Sequence, residues 1–212
     1  PPIINNQLRQ ISDSSIVRES IATESALFEA RILAQDEEGD PFSFFPSLST
    51  LNGSPLPNAF NLTSFGTIGW TPSNADVGPN TLIVVVKDTA SDEQSSQSFD
   101  ITVKNVNNAP VITNKISTTL NINEKETYLY SFITSDQDAG DVLNYSVNAS
   151  QALSATISNQ GLLTLIPSAD AAGSYLVSIS VADSNGASDS NSFSLNVAEQ
   201  NNPPELEPIA EP

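Results

Sequence analysis

The sequence predicts an all-β chain built as two tandem Greek-key β-sandwiches of about seven strands each. Three observations carry this reading. The same seam occurs three times, as Pro1-Pro2-Ile3-Ile4, Asn107-Asn108-Ala109-Pro110-Val111-Ile112 and Asn201-Asn202-Pro203-Pro204-Glu205-Leu206. Its prolines Pro2, Pro110 and Pro204 stand 108 and 94 residues apart, room for two modules that each bury a core. Between the seams, short runs rich in Val, Ile, Thr, Tyr and Phe are bounded by Ser, Asn, Asp and Gly, and no stretch sustains a helical period. The modules are set at 1–106 and 107–200. Residues 201–212 read as a linker and the start of a missing third module, since Glu207-Pro208-Ile209 looks like another first strand.

In the first module strands are expected at 11–21, 26–34, 42–46, 60–63, 67–70, 81–87 and 98–104. In the second, 111–117 and 120–122 form a split first strand. It is followed by 127–134, 143–148, 155–158, 162–166, 174–182 and 192–197. Seven short antiparallel strands separated by turn signals predict an Ig-like sandwich. Alternation then assigns the faces. Leu82, Val84 and Val86 point inward, as do their counterparts Val177, Ile179 and Val181. Phe99, Ile101 and Val103 match Phe193, Leu195 and Val197, and Phe28, Ala30 and Ile32 match Tyr128, Tyr130 and Phe132. Trp70 aligns with Leu165, which places the indole in a core rather than on a sugar-binding platform.

Composition narrows the chemistry. Of 212 residues, 7 are Lys or Arg and 25 are Asp or Glu, giving a net charge of −18 that repels nucleic acid and anionic membranes. No apolar run approaches the roughly 18 residues of a membrane span, so no membrane contact by these residues is expected. With neither Cys nor His there is no disulfide framework, no thiol chemistry, no usual general base and no transition-metal ligand set. Serine is abundant but lacks a His partner and a Gly-x-Ser-x-Gly elbow, so the chain is not expected to be an enzyme. What remains for metal chemistry is oxygen, which suits calcium.

The modules share a finer signature. Gly66-Thr67-Ile68-Gly69-Trp70-Thr71-Pro72 followed by Ala75-Asp76-Val77-Gly78 corresponds to Gly161-Leu162-Leu163-Thr164-Leu165-Ile166-Pro167 followed by Ala169-Asp170-Ala171-Ala172-Gly173. Asp76 and Asp170 are read as turn or capping residues. With Val86-Lys87-Asp88, Val181-Ala182-Asp183 and the Asn-rich Pro linker, this set resembles the dystroglycan-type cadherin-like modules, also described as Ig-like domains of bacterial surface proteins.

A second repeated pattern carries the chemistry. Glu24 precedes Asp36 by 12 residues, and Glu124 precedes Asp136 by the same interval. The strand between them, at about 3.3 Å per residue, holds the two acids of one module at opposite ends. Strand parity puts the Glu where the chain leaves a module and the Asp groups where it comes in. Glu24 is therefore expected to meet Asp136, Asp138 and Asp183 across the linker, joined by oxygens of Asn105, Asn107 and Asn108. That inventory satisfies the 6–8 oxygen ligands of calcium. Asp36, Glu38, Asp40 and Asp88 at one outer end, and Glu124 at the other, are expected to be weaker half-sites. Resemblance to cadherins points the same way, since cadherin repeats clamp calcium between modules with matching elements. The linker here, Asn105-Val106-Asn107-Asn108-Ala109-Pro110, is one residue shorter and lacks both acids of the cadherin linker. One or two ions are expected, bound at about 10⁻⁴ to 10⁻³ M.

The function expected is that of calcium-rigidified spacer or adhesion modules in a larger bacterial cell-surface or secreted protein, membrane-anchored and extracellular. The partners would be neighbouring modules of the same chain, and a cell-surface protein or polysaccharide. The alternative is a carbohydrate-binding accessory module of a secreted polysaccharide-active protein.

Overall fold

The structure, a computed structural model, describes residues 2–10, 16–17 and 20–201. Residues 11–15 and 18–19 of the expected first strand lie outside these, as do Asn202, Pro203-Pro204 and the third-module start Glu207-Pro208-Ile209. The described residues contain strands and three short 3₁₀ turns, and no α-helix. The chain divides into two compact units, Pro1–Val106 and Asn107–Pro212.

In the first unit one sheet runs in the order Ile16–Val17, Ile3–Gln10, Phe28–Gln35, Thr67–Trp70, Phe60–Leu62. The other runs Ser20–Thr23, Gln94–Lys104, Gly78–Asp88, Thr50–Leu51, Ser54–Pro55, with Phe42–Phe44 also paired to Gly78–Asp88. The first strand starts at Ile3 and not, as expected, at residue 11. Ile3-Ile4 is the counterpart of Val111-Ile112, but the polar run Asn5-Asn6-Gln7 that follows hides the strand from an apolar pattern. An unexpected hairpin, Thr50–Leu51 with Ser54–Pro55, turns on Asn52-Gly53, whose φ angles of 50° and 76° suit the left-handed two-residue turn that Asn-Gly favours.

The second unit has a four-stranded sheet, Leu120–Asn123, Ser188–Ala198, Gly173–Ala182, Asn144–Asn148. Opposite it are the three strands Tyr128–Ser131, Leu162–Leu165, Ala155–Ile157, and the short pair Val111–Ile112 with Thr134–Ser135. The split first strand is real: Val111–Ile112 pairs antiparallel with Thr134–Ser135, and Leu120–Asn123 crosses to run parallel to the last strand. The first unit repeats this crossing with Ile3–Gln10 and Ser20–Thr23.

Each core is filled by the inward positions that alternation assigns. Leu82, Val84, Val86, Val177, Ile179 and Val181 are fully buried, and Trp70 is 1% exposed against Phe60. Tyr128 and Tyr130 are only half-buried, at the margin of the second core. Asp76 accepts hydrogen bonds from the backbone N–H and hydroxyl of Ser73, closing a capping box. Asp170 sits in a turn at φ 64°.

The segment between the two halves of the second unit's first strand is held by two residues of the last strand. Asn191 is buried, accepts from the Ile116 N–H at 2.7 Å and donates to the Ile116 carbonyl at 3.1 Å, completing the bonds a neighbouring strand would supply. Asp189 accepts from the Ile112 N–H at 2.9 Å and from Lys115 at 2.6 Å. Asn191→Ala would leave both Ile116 backbone groups unpaired. It should destabilise the second unit by about 2 kcal/mol, read as a lower urea midpoint at unchanged m.

Candidate metal centre

In the second unit, the loop that follows the second strand is shaped by its own aspartates. Asp136 accepts the N–H of Asp138 at 2.9 Å, folding the chain back on itself, and Gly140 takes a φ of 93°. The turn after the sixth strand, Asp183-Ser184-Asn185-Gly186, is closed by Asp183, which accepts the N–H groups of Asn185 and Ala187, each at 2.9 Å. The two loops meet where the Ser184 hydroxyl donates to Asp141 at 3.0 Å.

Asp136, Asp141 and Asp183 thereby come together, with one oxygen from each within 4.8 Å of the others. Asp183 is 4% exposed. One oxygen of Asp136 and one of Asp141 are buried and have no hydrogen-bond donor. Buried carboxylate oxygens are costly without a donor or a cation. The group therefore fits a hard cation in its donor chemistry, in its charge and in its unmet oxygens.

The linker residues of this unit dock on the same pole. Asn107 donates through its amide to Asp183 at 2.9 Å and accepts from the Asn185 amide at 2.8 Å, and the Asn108 N–H donates to Asp138 at 2.6 Å. Asp138 is thus buried against the linker, and the acid grouped with Asp136 and Asp183 is Asp141. Sequence reading passed over Asn185. Its signal is the Asn-Gly pair that marks a tight turn, but the contact with Asn107 spans 78 residues.

Burial alone would raise the Asp183 carboxyl. Hydrogen bonds from the Asn107 amide and from the N–H groups of Asn185, Ala187 and Gly186 outweigh it and hold the group below the usual carboxylate range. Burial pushes Asp189 the same way, and bonds from Lys115, Ile112 and Ser190 overcome it. A depressed pKa gives stability that is fully present above the ordinary value of about 3.9 and is lost as pH falls through the folded-state value. In chelator, the urea midpoint of the second unit should hold from about pH 7 to pH 5 and drop below about pH 4. Asp189→Asn should flatten that drop.

The first unit has its own cluster, Asp36, Glu38 and Asp40, confined to one loop in which Asp36 accepts the N–H groups of Glu38 at 2.9 Å and Asp40 at 3.2 Å. One Asp36 oxygen is again buried and without a donor. Asp88 stays outside this cluster. It accepts from Ala90 at 2.6 Å and Ser91 at 3.1 Å, and those bonds, against its burial, hold its carboxyl below the usual range. Glu24, 4% exposed, accepts the Val106 N–H at 3.1 Å where the chain leaves the first unit. Glu124 accepts from Ala172 and Gln200 at the corresponding place in the second. Asn105 is exposed. Within each unit, then, the Glu and the Asp groups lie at opposite ends.

Residues 107–196 match the family model of the bacterial Ig domain. The chain is also similar to solved cadherin ectodomains. Human protocadherin-24 EC1-2 is 18% identical at a TM-score of 0.52, over 92% of this chain and 99% of that one. Mouse cadherin-23 EC22-24 is 16% identical at 0.54, over 92% and 67%. Drosophila N-cadherin EC1-4 is 15% identical at 0.55, over 85% and 47%. No curated protein matches the chain. At these identities the likeness is one of fold, and the chain is Ig-like and cadherin-like in fold. No helix among the described residues is long and apolar enough to cross a membrane.

Proposed function

We propose that the chain is a non-catalytic spacer or adhesion segment of a larger bacterial surface or secreted protein, and that calcium stiffens it. The observation that carries this is the Asp136–Asp141–Asp183 group with its two buried, undonated oxygens. Three converging carboxylates repel one another unless a cation neutralises them. The finer part of the proposal is that Glu24, Asn105, Asn107 and Asn108 share that ion with the second module, as strand parity suggests. Asp138 would then act by holding the linker at the pole. Asp36, Glu38, Asp40, Asp88 and Glu124 would be weaker half-sites towards neighbouring modules. Bound calcium would fix the angle of the joint and turn a flexible string into a rod that holds an end domain away from the cell.

Small-angle scattering of the chain in millimolar calcium and then in chelator tests this. A longer, stiffer particle in calcium, reverting on chelation, is expected, with calcium heat by calorimetry on the same sample. Identical profiles and no heat would sink the proposal. Asp136→Ala and Glu24→Ala should both weaken calcium binding. If Glu24→Ala bound as tightly as wild type, the ion would belong to the second module alone.

A further inference from the structure

The outer face of the four-stranded sheet in the second unit carries no charge. Leu120–Asn123, Ser188–Ala198, Gly173–Ala182 and Asn144–Asn148 alternate inward and outward, and every outward position is Ser, Asn or Ala except Leu176. In a chain with 25 acidic residues this stands apart. The corresponding strands of the first unit present Lys87, Asp100 and Lys104.

The polar groups of this face are already ordered. The Ser178 and Ser192 hydroxyls bond at 2.8 Å, Ser174 donates to Asn196 at 2.8 Å, and Asn196 donates to Asn121 at 3.2 Å. Such short side chains lose little entropy when a ligand fixes them. Two hollows lie beside the last strand, one before the parallel pairing with Leu120–Asn123 begins and one along it. One, of about 210 Å³, is lined by residues 117–119, Ser192, Ser194 and the 65% exposed Leu176, with the buried Ile116 and Phe193 at its floor. The other, of about 200 Å³, is lined by Asn121, Ile122, Asn123, Asn196, Val197 and Ala198.

We propose that this face binds a neutral oligosaccharide. Its hydroxyls and carboxamides exchange hydrogen bonds with sugar hydroxyls, and Leu176 covers the apolar C–H face of one ring. An anionic glycan is disfavoured by the net charge of −18. A protein partner would need aromatic or Arg anchors, or a broader apolar centre, than Leu176 alone supplies. The site is independent of the calcium reading.

The test is an NMR titration of the ¹⁵N-labelled chain with cellohexaose, xylohexaose, mannohexaose and maltohexaose, with an alginate oligomer as anionic control. At least one neutral probe should bind with a millimolar Kd and shift Leu176, Ser192, Ser194 and Asn196, leaving the first unit and the alginate spectrum unchanged. Leu176→Glu and Ser194→Glu place charge at exposed positions and should weaken binding at least tenfold at unchanged melting temperature. Asp141→Asn should leave sugar binding intact. Absence of shifts with all four neutral probes at about 10 mM overturns the proposal. So do shifts centred on another surface, or the same shifts produced by protein concentration alone, which would assign the face to a second copy.

Discussion

Gly66→Ala should destabilise the first unit by about 2–5 kcal/mol, the largest effect expected of a single methyl group in this chain. Gly66 has a φ of 79°, where a side chain costs about 1–2 kcal/mol through its contact with the following carbonyl. A Cβ there would also lie 2.6 Å from the Ile32 carbonyl oxygen and 2.6 Å from the Phe44 ring. Ile32 cannot retreat, because its own N–H donates to the Gly66 carbonyl at 2.8 Å and its side chain is in the core. Relief has to come from moving a strand or the buried Phe44, which is overpacking at a cost of about 1–3 kcal/mol. For a domain of this size the melting temperature should fall by about 8 °C or more. Gly161→Ala tests the same argument in the second unit. There the φ is 76°, the Phe132 carbonyl oxygen would be 2.8 Å away and the Tyr145 ring 3.3 Å, so a smaller loss is expected. Thermal melts of both variants check the order. Equal or negligible losses would mean that the strands yield more easily than their packing implies.

These glycines also show what a sequence exposes. Gly66 and Gly161 recur at one place in both modules because a strand carbonyl and an aromatic ring fill the space of a side chain, so repetition marks a local steric demand. The inward stripes were legible for the same reason: burial at period two writes itself into the order of residues. Trp70 was placed in the core by its alignment with Leu165, and Asp76 in a cap by its spacing from Gly78. The first strand of the first module was not legible. Ile3–Gln10 is polar over most of its length and is held by pairing with Phe28–Gln35, an interaction its own composition does not announce. The acidic pole was half legible. Strand parity, which fixes the end of the sandwich, puts Asp136 and Asp183 at one pole, and their side chains do come together. Which of Asp138 and Asp141 faces Asp136 and Asp183 depends on how a tight loop turns, one bond of which runs from the Asp138 N–H to Asp136.

Ten millimolar calcium should raise the melting temperature of the second unit by about 6–20 °C, and that of the first unit less. A site with a Kd of about 10⁻⁴ to 10⁻³ M is then filled about 10- to 100-fold above its Kd, which stabilises the folded state by about 1.4–2.7 kcal/mol. The units differ because their acids are held differently. Asp136, Asp141 and Asp183 converge from two loops, so an ion there ties one loop to the other. Asp36, Glu38 and Asp40 belong to one loop, and Asp88 spends an oxygen on its own turn, so an ion there ties little together. Magnesium at the same concentration should do much less, since it demands a tight octahedron and gives up water reluctantly. Asp141→Asn keeps the size of the side chain and an oxygen to accept from Ser184, and should abolish the calcium shift while leaving the melt in chelator nearly unchanged. Melts read with and without calcium thus separate ligation from folding. A second unit that melts at the same temperature in calcium and in chelator would mean that the buried oxygens of Asp136 and Asp141 are met by water alone.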